Sequence, residues 1–184
     1  MPVQTPICDF GKKALPFELK STDNKIISLD DIKGENGTLI MFICNHCPYV
    51  KAITKEIVDD CNELKKIGIN SVAICSNDFI NYPEDSFDNM IKFSKDNQFS
   101  FPYLQDETQK VAKTYNAVCT PDFFGYDKDL GLQYRGRLKE LKNFVPIKDG
   151  ESDLLKAMKQ IAKTGKGPQN QIPSAGCGIK WKFD

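Results

Sequence analysis

Two cysteines, Cys44 and Cys47, stand one helical turn apart in the order Cys44-Asn45-His46-Cys47-Pro48, with the only histidine of the chain, His46, between them. Thiols at this spacing can complete an exchange cycle, because one attacks a disulfide and the other releases the mixed disulfide that forms. The unbroken apolar run 39–43 leads straight into the pair, and an amphipathic segment follows Pro48 at once. A buried strand is therefore expected to deliver both cysteines to the first turn of a helix. Free N–H groups and the positive end of the helix dipole stabilise a thiolate there, and the thiolate is the attacking species. Attack is assigned to Cys44, expected at an exposed strand-to-helix junction, and resolution to Cys47, deeper in the first turn. An imidazolium at His46 would favour the thiolate and make the disulfide more oxidising. The bland alternative is a solvated histidine without a role.

The same side chains permit a second chemistry. Cys44, His46 and Cys47, joined by Cys119 and Cys177, are soft donors of the kind that hold Cu(I) or zinc. Against it, one Cys-x-x-Cys at a strand-to-helix junction lacks the second close pair of a zinc ribbon. A redox-dead structural or interaction protein is the third reading. The favoured one, a thiol–disulfide oxidoreductase, needs no cofactor and no metal.

The rest of the chain must position these thiols. Its 184 residues are enough for one domain with a proper core and no disulfide staples. Twenty-five basic residues balance 25 acidic ones, so no net field attracts nucleic acid or anionic lipid, and neither is expected as a partner. The N-terminus lacks a basic region followed by a long apolar stretch, and no run approaches transmembrane length, so a cytoplasmic protein is expected. Seven cysteines, an odd number, argue for reactive or buried thiols in a reducing compartment rather than a closed disulfide framework.

Residues 1–14 read as an irregular lead-in in which Cys8 is incidental, residues 15–163 as the domain, and residues 164–184 as a Gly- and Pro-rich tail packed over it. Apolar segments flanking the polar cluster Ser21-Thr22-Asp23-Asn24 predict a β-hairpin, followed by a one-turn connection to the central strand. Val50, Ile53, Ile57, Cys61 and Leu64 form one helical stripe that Gly68 ends. The run Ser71 to Cys75 is then a strand parallel to the first, and Cys61 and Cys75 are core residues. A helix carrying Phe87, Met90 and Ile91 follows. Pro102 marks 99–104 as an edge strand, and Asp106 with Gln109 matches a capping box for a helix through Tyr115. Thr120-Pro121 opens a β-hairpin, and Ser152 begins a last helix with Leu154, Leu155, Met158, Ile161 and Ala162 on its apolar face.

This order of elements resembles the thioredoxin fold in its redoxin form, the branch that includes the alkyl hydroperoxide reductase and thiol-specific antioxidant (AhpC/TSA) proteins. The chain is most similar to the bacterial peroxiredoxin-like thioredoxin-family proteins, in MFICNHCPYVK at 41–51, CTPDFF at 119–124, YRG at 134–136 and GCGIKWK at 176–182. The resemblance covers residues 15 to 182. It implies an α/β protein with a central mixed sheet flanked by helices, an N-terminal β-hairpin and a C-terminal tail. It implies a thiol–disulfide or peroxiredoxin-like activity on a protein or small-molecule disulfide, with peroxide as a further substrate, and a thiol reductant as partner. Thr120-Pro121 matches the cis-proline loop that such proteins pack against the Cys-x-x-Cys, which also brings Cys119 near the pair. Two departures stand out. Ile43 and Asn45-His46 replace the Trp and Gly-Pro of ordinary thioredoxins. Cys47-Pro48 matches the peroxiredoxin Cys-Pro, but Cys44 occupies the position of that family's Thr or Ser. Only Arg135 and Arg137 are available to match the catalytic arginine, and the residues alone place both on a solvated strand face. Cys177, between two glycines, is expected either to reach the pair as a second resolving thiol or to hang free on a loose tail, with Trp181 as the tail's anchor.

Overall fold

In the computed structural model, which describes residues 1–183, a short strand β1 (Val3–Gln4) precedes the predicted hairpin of β2 (Glu18–Ser21) and β3 (Ile26–Ser28). The one-turn connection is α1 (Leu29–Ile32). Ser28 caps it, its hydroxyl accepting the Asp31 N–H while the Asp31 carboxylate accepts the Ser28 N–H. The central strand β4 (Gly37–Phe42) is buried at every position. After α2 (Pro48–Lys51) and α3 (Thr54–Lys66), Gly68 turns the chain at φ +80°, a conformation that glycine adopts without steric penalty, into β5 (Ile69–Cys75). The remaining elements are α4 (Phe87–Asp96), β6 (Tyr103–Gln105), α5 (Lys110–Tyr115), β7 (Cys119–Thr120), β8 (Asp122–Tyr126), β9 (Leu132–Tyr134), the small hairpin β10 (Leu141–Lys142) and β11 (Val145–Pro146), α6 (Asp153–Thr164) and β12 (Ala175–Gly178).

Seven strands form a mixed sheet in the order β3-β2-β6-β5-β4-β8-β9, with β4, β5 and β6 mutually parallel and the outer pairs antiparallel. Period-two alternation in β4 divides the core. Leu39, Met41 and the following Ile43 meet Ile57, Leu64, Met158 and Ile161 of α3 and α6, whereas Ile40 and Phe42 meet Phe17, Tyr115 and Phe124 on the opposite face. A side chain such as Leu64, removed entirely from water, contributes about 1.5–3 kcal/mol. Cys61 and Cys75 lie in this core as expected, and burial pushes both thiols up to about 12. Among the described residues, no helix is long and apolar enough to cross a membrane.

Four expectations are corrected. The helix after Pro48 is broken at Ile53, whose φ of −122° leaves the helical region, and the Thr54 hydroxyl donates to the Val50 carbonyl at 2.8 Å. Two adjacent β-branched residues and a hydroxyl that competes for the helical acceptor account for the break. The segment around Pro102 is no edge. β6 lies between β2 and β5, and Pro102 stands just outside it, where only its carbonyl is needed, accepting the Ala73 N–H. Gln109 does not close a capping box; its side chain donates instead to the Ser76 and Lys180 carbonyls, while Asp106 accepts the Val111 and Ala112 N–H groups. The tail and lead-in are not merely laid on the surface, because β12 pairs with β1 on one side and β7 on the other in a second, three-stranded sheet.

Asp60 and Ser152 tie α3 to the start of α6. The Ser152 hydroxyl donates to the Asp60 carboxylate and accepts the Leu155 N–H. Burial pushes the Asp60 carboxyl up from 3.8 to about 6, with the Ser152 hydrogen bond opposing. The folded state therefore binds the proton more tightly than the unfolded one, and stability falls as pH rises from about 4 to about 6. Asp60→Asn removes this penalty. Between pH 4 and pH 7 its urea-unfolding free energy is expected to gain about 2 kcal/mol on the parent's. A difference that stays constant with pH would mean that Asp60 titrates as an exposed carboxylate.

Candidate active site

The run 39–43 does not stop at the sheet edge. Beyond the end of β4, the Ile43 N–H still donates to the Ile74 carbonyl at 3.0 Å, and Cys44 is carried inside. Cys44 is only 1 % exposed and Cys47 is fully buried, so the exposed junction expected for Cys44 does not exist. Cys47 takes the extended conformation that a following proline imposes (φ −67°, ψ 125°) and caps α2, where Pro48 supplies the preset first turn.

Asn45 is locked from three directions. Its N–H donates to Asp85 at 2.7 Å, its amide donates to the Glu84 carbonyl at 3.1 Å, and its side-chain oxygen accepts the Tyr103 hydroxyl at 2.8 Å. Asp85, fully buried in the turn before α4, also accepts from Asn77 and lies 2.7 Å from His46 Nδ1. His46 Nδ1 makes no aligned hydrogen bond there, so the approach is a close contact rather than a hydrogen bond. The ring stacks parallel to Tyr82 and is 25 % exposed. His46 is therefore directed to Asp85 and is not a freely solvated side chain.

Thr120 joins the two thiols. Its hydroxyl lies 3.4 Å from Cys44 Sγ, its carbonyl oxygen lies 3.2 Å from Cys47 Sγ, and the Thr120–Pro121 peptide bond is cis. β12 is brought against this loop with Cys177 opposite Thr120, and the sulfur of Cys177 comes within 3.0 Å of Cys47 Sγ. The approach needs glycine at 176, since a Cβ there would lie 2.0 Å from the Thr120 oxygen. The Pro121 carbonyl accepts the Ser174 hydroxyl at 2.8 Å and lies 3.6 Å from Cys119 Sγ. Cys119 is buried beside the group without touching Cys44, and burial drives its thiol up. Beside Pro121, Tyr49, Leu138 and Ala175 line a cleft of about 370 Å³.

The electrostatics separate the pair. Cys44 is driven well above the usual thiol range by its hydrogen bond to Cys47, by burial and by the Asp85 charge. Cys47 is pulled down by the Cys44 S–H against the cost of burial, with further help from Cys177, the Val50 N–H and the Thr120 hydroxyl. The two thiols are thus pushed in opposite directions, Cys47 down and Cys44 up. Cys177 is raised to about 11 by burial and by Cys47, with Lys180 opposing.

Of the residues expected from sequence, Cys44, Cys47, Thr120, Pro121 and Cys177 meet. His46 adjoins them and Cys119 flanks them. The arginines do not lie on a solvated face: Arg135 is buried and paired with Asp122 at 2.9 Å, and Arg137 pairs with Asp153 at 2.7 Å. Asp85 and Tyr103 were missed. Nothing local marks either one, because their partner Asn45 lies 40 and 58 residues away. Among the described residues, the donor group gathered within 4.8 Å is Cys44, His46 and Asp85, which Cys47 does not join.

Comparison with known proteins places these features in a family. The AhpC/TSA family model matches residues 10–136. No curated protein matches the chain. An uncharacterized conserved protein of Geobacillus kaustophilus is 42 % identical with a TM-score of 0.94, covering 100 % of this chain and 98 % of its own. A hypothetical protein of Sinorhizobium meliloti 1021 is 32 % identical with a TM-score of 0.91, and both chains are covered completely. A putative thiol:disulfide interchange protein DsbE of Chlorobium tepidum shares the fold at a TM-score of 0.62 and 17 % identity, over 84 % of this chain and 97 % of that one. The mixed sheet with its flanking helices is accordingly a thioredoxin-like fold. With the family pattern running through β4, the Cys-Pro at 47–48 and the hairpin after Thr120, the chain belongs to the AhpC/TSA family.

Proposed function

We propose that the protein is a thiol–disulfide oxidoreductase whose two-electron couple is Cys44–Cys47. The observation that carries the reading is the convergence of both sulfurs on Thr120 of the cis-proline loop, its hydroxyl 3.4 Å from Cys44 Sγ and its carbonyl oxygen 3.2 Å from Cys47 Sγ; the surroundings pull Cys47 down and drive Cys44 up. The roles assigned from sequence are exchanged. Cys47 attacks as the thiolate and Cys44 resolves, since an attacking thiol must be ionised and Cys44 is the one held protonated. His46 and Asp85 fix the segment between the thiols, and the Asp85 charge helps keep the proton on Cys44. The substrate is a disulfide borne by a protein or small molecule, and a thiol reductant closes the cycle. Peroxide is the further substrate class, because Cys47-Pro48 occupies the family's Cys-Pro position. Free thiols of this kind persist in a reducing compartment, which supports a cytoplasmic location.

Equilibration of the reduced protein in glutathione buffers of graded potential, followed by alkylation and peptide mapping, is expected to reveal one Cys44–Cys47 disulfide formed in a single two-electron transition. Finding both cysteines alkylated at every potential would exclude the couple. The alternative reading, a soft-metal protein, draws on the trio Cys44, His46 and Asp85. A carboxylate is a hard donor that suits zinc better than Cu(I). Stoichiometric zinc uptake by the reduced protein, lost in Asp85→Asn, would favour it.

A further inference from the structure

The proposed couple has no outlet of its own: Cys44 is 1 % exposed and Cys47 fully buried, so neither sulfur offers an external disulfide a line of attack. Cys177 differs. It is partly exposed, it stands opposite Thr120 in the β12–β7 pairing, and its sulfur is 3.0 Å from that of Cys47. The expectation of a loose tail does not hold. β12 is paired on both edges, and the residues that follow it are pinned by the Asp78 N–H donating to the Lys180 carbonyl, the Lys180 N–H donating to Asn77, and the Lys182 N–H donating to Gln109. The anchor is this backbone lattice rather than Trp181, which remains 37 % exposed.

We propose that Cys177 is the exchange port of the protein, the thiol that meets an external disulfide and passes its oxidising equivalents through Cys47 to Cys44. The inference rests on the Cys44–Cys47 couple proposed above. In the first step the Cys177 thiolate attacks R–S–S–R′; a Cys177–S–S–R bond forms, the S–S bond of the substrate breaks and R′S⁻ leaves. The Cys47 thiolate then attacks Cys177 Sγ, forming a Cys47–Cys177 disulfide and expelling RS⁻. Cys44 gives up its proton, which RS⁻ takes, and attacks Cys47 Sγ; the Cys44–Cys47 disulfide forms and Cys177 leaves as a thiolate that recovers its own proton. Two electrons have moved from the Cys44 and Cys47 sulfurs to the substrate, which is reduced to the thiol RSH and the thiolate R′S⁻, the latter taking its proton from water. An external thiol reductant runs the same steps in reverse. Here the geometry helps twice, because the reductant attacks the accessible Cys177 sulfur and the departing group is Cys47, the thiolate that its surroundings stabilise best. Burial and then Cys47 raise Cys177 in the reduced protein, and the second of these causes disappears once Cys47 enters a disulfide.

The test is oxidation of the reduced protein by bis(2-hydroxyethyl) disulfide, quenched with acid and mapped by mass spectrometry. The parent is expected to form Cys44–Cys47. Cys177→Ser and Cys177→Ala are expected to reach the same disulfide at the same midpoint potential but at least about tenfold more slowly, while Cys8→Ser keeps the parent rate. Cys44→Ser is expected to stall as a Cys47–Cys177 disulfide, and Cys47→Ser as a hydroxyethyl adduct on Cys177. Parent-like rates in both Cys177 variants, or stalled adducts on any other cysteine, would overturn the port. A parent that never forms Cys44–Cys47 would instead overturn the couple itself, so the two failures are distinct.

Discussion

Arg135→Ala is expected to cost the folded state about 3–5 kcal/mol, the usual penalty for leaving one member of a buried ion pair without its partner. Arg135 is 6 % exposed and Asp122 fully buried. The guanidinium donates to both Asp122 oxygens, at 2.9 and 3.3 Å, and to the Asn116 carbonyl at 2.8 Å, and it lies 4.4 Å over the Phe124 ring. Asp122 in turn accepts the Val118 N–H. Truncation therefore strands a carboxylate that burial already disfavours and orphans a backbone acceptor. In a chain of this length the loss corresponds to a fall in Tm of roughly 6–20 °C. Asp122 follows Pro121 directly, so the same variant is expected to loosen the loop that holds Thr120 against the thiols and to slow disulfide exchange. Asp122→Asn combined with Arg135→Met should recover part of the stability, since no charge is then left buried alone. A urea-unfolding loss below about 1 kcal/mol for Arg135→Ala would mean that the pair behaves as a solvated one.

That pair also marks where sequence reasoning reaches its limit. The apolar run into Cys44 and the Ser152 cap are local patterns that appear in the fold where their spacing puts them, and the stripe from Val50 to Leu64 is buried as its periodicity requires although its helix breaks at Ile53. In sequence Arg135 falls on the polar side of the alternating run 132–138, a solvated position when read alone, whereas β9 ends at Tyr134. Arg135 is buried because Gln171 of the tail accepts its N–H and residues 6–9 of the lead-in close over it, two segments far away in sequence. Cys177 is a parallel case: a Gly-rich tail carries no strand periodicity, and β12 exists only because β1 and β7 offer it two edges. The exchange of roles proposed for Cys44 and Cys47 has the same origin. Motif position indicates which thiol begins a helix, whereas ionisation depends on Asp85, Thr120 and Cys177, which the motif does not contain.

Cys47→Ser is expected to remove the one thiolate that the reduced protein holds at neutral pH, seen as loss of the thiolate absorbance near 240 nm. In the same variant, reduction of bis(2-hydroxyethyl) disulfide should fall by about a hundredfold or more. The size follows from the resolving step, because the hydroxyethyl adduct on Cys177 has lost the sulfur that lies 3.0 Å from it. Among the other thiols, Cys61 and Cys75 are raised to about 12, so at pH 7 about one part in 10⁵ of either is ionised. A more basic thiolate is intrinsically the better nucleophile, with a Brønsted slope near 0.5, and recovers about half of that deficit on a logarithmic scale. Cys44→Ala separates the roles. It deletes the S–H that does most to stabilise the Cys47 thiolate, so the Cys47 pKa is expected to rise and the 240 nm transition to move to higher pH, without the loss of the thiolate itself. The opposite pattern, in which Cys44→Ala abolishes the neutral-pH thiolate and Cys47→Ser retains it, would return the attacking role to Cys44.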